Sequence, residues 1–182
     1  MPRSLTAQLK AAASSRKLVR LTRRFEDSTI IGYVLAVGAR FFLLALVNDR
    51  IRFDGFECFR IKDLLSIEAD PYADFAEAAL RKRGEKKPRK PKINLDSVED
   101  LLVTAGKTFP LITIHMEKSR PDVCYIGRVH ELGTRKVALQ CITPHAQWES
   151  TASKFPLAKI TRLNFGGDYE EALYLVGGEA AA

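Results

Sequence analysis

The stretch from Ile31 to Leu46, IGYVLAVGARFFLLAL, returns 95 positions later as IGRVHELGTRKVALQC, from Ile126 to Cys141. Sixteen positions align without a gap and six are identical: Ile31/Ile126, Gly32/Gly127, Val34/Val129, Gly38/Gly133, Arg40/Arg135 and Leu44/Leu139. Ordinary residue usage yields about one such identity by chance. Whatever architecture the first half takes, the second must take too. The 182 residues leave room for two small units or one large domain.

The flanks repeat as well. LVRLTRRFE precedes the first copy and LITIHMEKS the second, and both read as strands. RIKDLLSIEAD follows the first and PLAKITRLNFGGD the second, each ending at a helix start. In the first of these helices Asp70 is placed to cap and Pro71 suits the first turn. Tyr72, Phe75, Ala76, Ala79 and Leu80 then form an apolar stripe that Gly84 ends. In the second, Asp168 caps, Tyr169, Ala172, Leu173 and Val176 repeat the stripe, and Gly177 and Gly178 stop it. A shorter helix opens each copy, over Leu5, Leu9 and Ala12 and over Val98, Leu101, Leu102 and Ala105, where Ser97 and Asp100 resemble a capping box.

Each copy therefore reads helix, five short strands, helix. In the first, strands fall near 17–26, 29–37, 40–47, 50–60 and 64–68. Asn48-Asp49 supplies a turn, and Asp54-Gly55 a turn or a bulge within a long strand. Gly32 and Gly127 lie within strands, where glycine permits the sharp bend of a small closed barrel. FFLLALV is apolar on both faces, as expected of a strand between a barrel core and the stripe helix. The expected fold class is mainly β with flanking helices (α+β), a tandem duplication of five-stranded small barrels. The first spans 1–84 with its helices, a basic linker spans 85–94, and the second spans 95–182. Each copy is expected to close its own sheet.

TIIGYVLAVGARFFLLALVNDRIRFDGFECFRIKDLLSIE resembles the second to fifth strands of the Sm-like small barrel. The resemblance covers about 50 residues per copy, the length of one small barrel's strands. That family includes the bacterial host-factor RNA chaperone, which binds RNA as a ring of barrels. Its tyrosine-lysine-histidine RNA-binding run falls near Arg60, Ile61 and Lys62, where this chain reads FRIKD, so that motif is not carried over. The stretch FFLLALV…ECFRIKDLLSIE also resembles the WYL domain of bacterial transcription regulators, without the helix-turn-helix those proteins carry. The whole chain resembles a group of uncharacterised bacterial proteins with this two-copy layout, which brings no known activity.

Charge is strongly segregated. The net charge is +7. Residues 1–24 hold Arg3, Lys10, Arg16, Lys17, Arg20, Arg23 and Arg24 and no acid, and RKRGEKKPRKPK (81–92) holds eight basic groups and Glu85, so each segment carries +7 and the remainder −7. Arg81, Lys82 and Arg83 suit the C-terminal end of the stripe helix dipole. Lys86, Lys87, Arg89, Lys90 and Lys92, interrupted by Pro88 and Pro91, are expected to be extended and mobile. This segment is either a phosphate-binding element or a solvated linker docked on the acidic barrels. It contains no aromatic residue on which bases would stack. In the first copy Arg50, Arg52, Arg60 and Lys62 are further candidates, with solvent-facing strand charges as the plainer reading.

Other chemistry is sparse. Cys58, Cys124 and Cys141 form no CxxC pair and lie in apolar strand-like stretches, which reads as buried thiols rather than disulfides. His115, His130 and His145 lack metal-ligand spacing, and no nucleophile, nucleotide or metalloprotease motif occurs. GGDYEE invites a phosphate-cradle reading, but Asp168, Glu170 and Glu171 already sit at the helix's positive end. The apolar run Phe41–Val47 is far short of a membrane span, and the N-terminus has no secretory signal pattern. The expectation is a cytoplasmic, non-enzymatic protein without cofactor or metal, binding RNA or single-stranded DNA. The alternative is an interaction or assembly module whose strand edges pair, as a homo-oligomer, with a neighbour.

Overall fold

The computed structural model describes residues 4–180; Arg3 lies outside them. Four helices flank ten strands, and the elements recur at nearly constant offset. Helix α1 (Leu5–Ser15) opens the first half and α3 (Val98–Thr108) the second, each 11 residues long. Ser4 Oγ accepts from the Ala7 N–H at 3.2 Å, and Ser97 Oγ accepts from the Asp100 N–H at 3.0 Å. These are the side-chain caps that helix N-termini need. Strands β1 (Val19–Arg23), β2 (Glu26–Val37), β3 (Phe41–Val47), β4 (Phe53–Arg60) and β5 (Leu64–Ala69) precede helix α2 (Ala73–Lys82). In the second half β6 (Ile112–His115), β7 (Cys124–Leu132), β8 (Lys136–Cys141), β9 (Ser153–Pro156) and β10 (Arg162–Phe165) precede α4 (Asp168–Gly177).

Pairing repeats register for register. Gly32 faces Leu46 as Gly127 faces Cys141, and Val34 faces Leu44 as Val129 faces Leu139. The irregularity between Val34 and Ala36 returns between Val129 and Glu131. Gly32 and Gly127 are required by close approach. A Cβ on Gly32 would lie 2.4 Å from the Ala45 carbonyl oxygen, and one on Gly127 2.1 Å from that of Gln140. The long second strand of each half presses its backbone onto its neighbour at that point.

The sheet itself differs from the expectation. The halves do not each close a sheet: the ten strands form one open antiparallel sheet in the order β5-β1-β2-β3-β4-β10-β6-β7-β8-β9. The second half repeats the first half's order, and β4 is joined to β10 through Phe59↔Arg162, Cys58↔Leu163, Glu57↔Asn164 and Phe56↔Phe165. An unpaired edge leaves a row of backbone donors and acceptors without partners. The outer edge of β4 and that of β10 satisfy each other.

The core follows from this seam. Phe42 and Leu44 of β3 pack under α1 with Leu9, Leu21 and Phe59. On the other face Ala45 and Val47 pack under α2 against Ala76 and Leu80. Phe41 and Leu43 instead enter the second half's core with Leu101, Leu102, Ala105 and Phe165. FFLLALV is thus buried on both faces, and its outward face is shared between α2 and the other half. Helix α3 packs on both halves.

The helical stripes are narrower than their spacing implied. In α2 only Ala76 and Leu80 are buried, while Tyr72 and Phe75 are 72% and 66% exposed. In α4 only Leu173 is buried, against Leu111 and Ile142, and Tyr169, Ala172 and Val176 are exposed. In α2 one i, i+4 pair meets the sheet and its flanks stand off it, and in α4 a single leucine makes that contact. Of the thiols, Cys58 and Cys141 are buried and Cys124 is exposed, because Cys124 opens β7 at the sheet's rim. Among the described residues no helix is long and apolar enough to cross a membrane.

Candidate nucleic-acid interface

Equivalent turns of the two halves meet at one end of the seam. In the first half the Ile61 N–H donates to the Arg40 carbonyl at 2.9 Å, and in the second the Leu157 N–H donates to that of Arg135 at 3.0 Å. Each bond ties the β2–β3 or β7–β8 turn to the 3₁₀ turn that follows β4 or β9. Both repeat arginines are thereby held outward on a fixed backbone, and both are exposed.

Between them lie two adjoining clefts that share Arg40, Val98, Leu157 and Ala158. One, of about 830 Å³, carries Arg40, Arg135, Lys136 and Lys154 opposite Glu99 and Glu131. The other, of about 600 Å³, carries Arg40, Arg60 and Lys62 over an apolar floor of Phe41, Ile61, Leu157 and Ile160. The combined groove presents six cations and two carboxylates. Only Arg60 is engaged in an ion pair, with Asp63 at 2.6 Å. Arg40, Lys62, Arg135, Lys136 and Lys154 make no ion pair among the described residues. The groove continues toward the linker, because Lys90 and Lys92 line a shallow depression with Gly38, two residues before Arg40.

The cations singled out in the sequence divide into two sets. Arg60 and Lys62 belong to the groove. The others lie beyond it: Arg50, Arg52, Arg81, Lys82 and Arg83 gather around the end of α2 and the β3–β4 turn, where several carry structural contacts, and Lys86, Lys87, Arg89, Lys90 and Lys92 run along the linker. Arg83 donates to the Arg50 and Ile51 carbonyls, the latter at 2.9 Å, and Arg52 pairs with Glu85 at 3.2 Å. Arg81 and Lys82 occupy the last turn of α2. Lys86, Arg89, Lys90 and Lys92 are exposed and make no ion pair among the described residues.

The linker is extended and also docked. Lys87 Nζ lies 3.5 Å from the Tyr33 ring centroid and donates to the Arg16 carbonyl at 2.9 Å. Desolvation, with help from Arg16, lowers its pKa against the pull of Glu77. Tyr33, which donates to Glu77, is pushed above its ordinary range by burial first and that carboxylate second. Ile93 and Leu95 are buried in the second half's core, and Asp96 accepts from the Ala39 N–H at 2.9 Å.

The phosphate-cradle reading of GGDYEE meets a different occupant. Asp54 Oδ1 accepts from the Asp168 N–H at 2.9 Å, so a carboxylate of the first half caps α4. Asp168 is the first helical residue and not the cap, which is Gly167. The glycines admit the neighbouring strand: a Cβ on Gly55, at φ +68°, would lie 2.4 Å from the Gly167 nitrogen and 2.5 Å from the Gly166 carbonyl carbon.

A buried ionic network crosses the seam. Arg23, whose side chain is fully buried, donates to both Glu117 oxygens at 3.0 and 2.8 Å and to Glu26 at 3.1 Å. Its guanidinium carbon lies 4.0 Å from the Phe59 ring centroid. Arg162 pairs with Glu57 and, at 3.5 Å, with Glu26. Burial pushes the Glu57 carboxyl up against the lowering influence of Arg162. Burial also works to raise Glu117, but the hydrogen bonds and charge of Arg23 prevail and hold it below its ordinary value. His115 is brought down to about 3 by desolvation and by Arg162, and its Nε2 has no partner. This set joins the halves and faces inward.

A cleft of about 250 Å³ on the seam's flank brings Glu57, His115, Cys124 and Glu170 together. Desolvation and Glu170 raise the Cys124 thiol, and burial raises Cys58 and takes Cys141 to about 11. Thiols so held are poor nucleophiles. No group of three metal-ligating side chains occurs among the described residues.

Residue-by-residue reading missed Arg40, Arg135, Lys136 and Lys154 as site residues, and counted Arg23 only among the seven cations of residues 1–24. The identity of Arg40 and Arg135 within the repeat was the available signal for the groove. No protein-family model, curated protein or solved structure matches the chain.

Proposed function

We propose that this is a non-enzymatic, cytoplasmic protein that binds single-stranded nucleic acid through its backbone phosphates along the Arg40/Arg135 groove, each half being an Sm-like unit. The observation that carries the reading is the groove's origin: the same turn of each half delivers an exposed arginine to one cleft, flanked by unpaired Lys62, Lys136 and Lys154. Cations that are held in place and lack internal partners are available to replace the counterions of a polyanion. No aromatic ring lines either cleft except Phe41, which is buried, so base stacking contributes little and sequence preference is weak.

The test is fluorescence anisotropy with a labelled oligouridylate of about 16 nucleotides, the upper end of small-barrel site sizes. Five unpaired groove cations give a slope of about −3.5 in log K against log salt, or about a hundredfold loss of affinity from about 50 to 200 mM. Arg40→Ser with Arg135→Ser brings the slope to about −2 and the loss to about twentyfold. Serine at Lys86, Lys87, Arg89, Lys90 and Lys92 measures the linker separately. Absence of binding at low salt, or a slope unchanged in the double variant, refutes the groove as the site.

A further inference from the structure

The β4–β10 seam poses a question that the repeat itself can answer. By register β9 occupies in the second half the place of β4, and β5 occupies in the first half the place of β10. The two outer edges of the sheet are thus the same two edges that join at its centre. A second copy could add β9 to β5 by the same pairing, and the sheet would grow head to tail without limit or close into a ring.

The residues at those edges differ from those at the centre. At the centre Glu57 of β4 pairs with Arg162 of β10; the corresponding residues at the outer edges are Ser153 and Ser66. Phe56 and Phe165 stack at the centre with centroids 5.9 Å apart, and Ala152 and Ala69 stand in their places. Cys58 faces Leu163 with both fully buried, whereas at the edges an exposed Lys154 would face Ile67.

Steric access has gone as well. The centre depends on Gly55 meeting Gly166 and Gly167 backbone to backbone. Continuing the same offset, Thr151 replaces Gly55, and Asp70 and Pro71 replace the glycine pair. At the centre a Cβ on Gly55 would run into the opposing backbone, and Thr151 carries one at the equivalent place; Asp70 and Pro71 likewise carry side chains where Gly166 and Gly167 have none. Short edge strands bearing lysine are the usual defence against strand addition, and β9 has four residues, Lys154 among them.

We propose that the seam is a one-of-a-kind pairing, in which the two halves recognise each other and the outer edges have lost the same recognition, so that the chain acts as a monomer and does not extend its sheet with second copies.

Sedimentation equilibrium of the full chain from about 1 to about 100 μM, a range that registers micromolar association, tests this directly. A single species of 20.4 kDa is expected throughout. A mass that rises with concentration overturns the proposal. A second arm restores the central residues at the edges with Thr151→Gly, Ala152→Phe, Ser153→Glu and Lys154→Cys on one side and Ser66→Arg, Ile67→Leu, Ala69→Phe, Asp70→Gly and Pro71→Gly on the other. A folded variant, checked by circular dichroism, is expected to associate within this range, with a dissociation constant at least about tenfold below the highest concentration at which the natural chain stays monomeric. A folded variant that stays monomeric shows that these positions do not decide pairing, and also overturns it. If the variant does not fold, the natural chain decides alone. Neither arm uses nucleic acid, so failure here and failure of the groove reading are distinguishable.

Discussion

Arg23→Met isolates what the buried seam contributes. The arginine side chain is fully buried, holds Glu117 through two hydrogen bonds of 3.0 and 2.8 Å, and lies over the Phe59 ring. Methionine fills much of the same volume and removes the charge. Glu117, itself 7% exposed, is then a buried carboxylate without its cation. Glu26 keeps Arg162 at 3.5 Å, so the loss concentrates on Glu117. Removing one partner of such a pair costs about 3–5 kcal/mol, a large share of the roughly 5–15 kcal/mol that holds a domain together. With a urea m-value of about 2 kcal/mol/M, the unfolding midpoint falls by about 1.5–2.5 M. Removing both charges, as Arg23→Met with Glu117→Leu, recovers most of this, because an apolar pair has no uncompensated charge.

The pH dependence supplies a second readout. In the natural chain Glu117 is held below its ordinary 4.5, so it contributes stability above that value that is lost as pH falls through its folded pKa. Without Arg23 the group rises instead, and protonation relieves the variant in acid. The gap between natural and variant chains therefore narrows as pH falls below about 5. A midpoint shift below about 0.5 M, or a gap that widens in acid, refutes the reading of Arg23 and Glu117 as a buried, mutually dependent ion pair.

Further outcomes follow from single contacts. His115 is neutral in the folded chain down to about 3, whereas the unfolded chain takes up its proton near 6.5. Stability therefore falls as pH drops between those values, by up to about 1.4 kcal/mol per pH unit, and His115→Gln flattens that limb in urea titrations at stepped pH. Asp54→Ala removes the cap of α4 and costs about 1 kcal/mol, with faster amide exchange concentrated in the first turn of that helix; uniform exchange across the chain would count against it. In the native chain a disulfide reagent modifies Cys124 alone, and slowly, since its thiol is raised while Cys58 and Cys141 are buried. Labelling of Cys58 without unfolding contradicts the packed seam.

Periodicity and repetition were enough for much of this protein. The 95-residue offset determined that two halves share strand order and register, because side-chain alternation and paired glycines act locally and identically wherever they recur. Ser97 and Asp100 announced their cap, and the all-apolar β3 announced burial on both faces. What lay beyond reach was which edges meet. Nothing local distinguishes a strand that closes its own sheet from one that pairs with a strand 105 residues away, as Glu57 does with Arg162. Only the tertiary structure decided that Arg23 is buried, that Asp54 caps a helix of the other half, and that Arg40 and Arg135 share a groove. Each of those facts depends on distances between residues far apart in the chain, and these are set by the whole core at once.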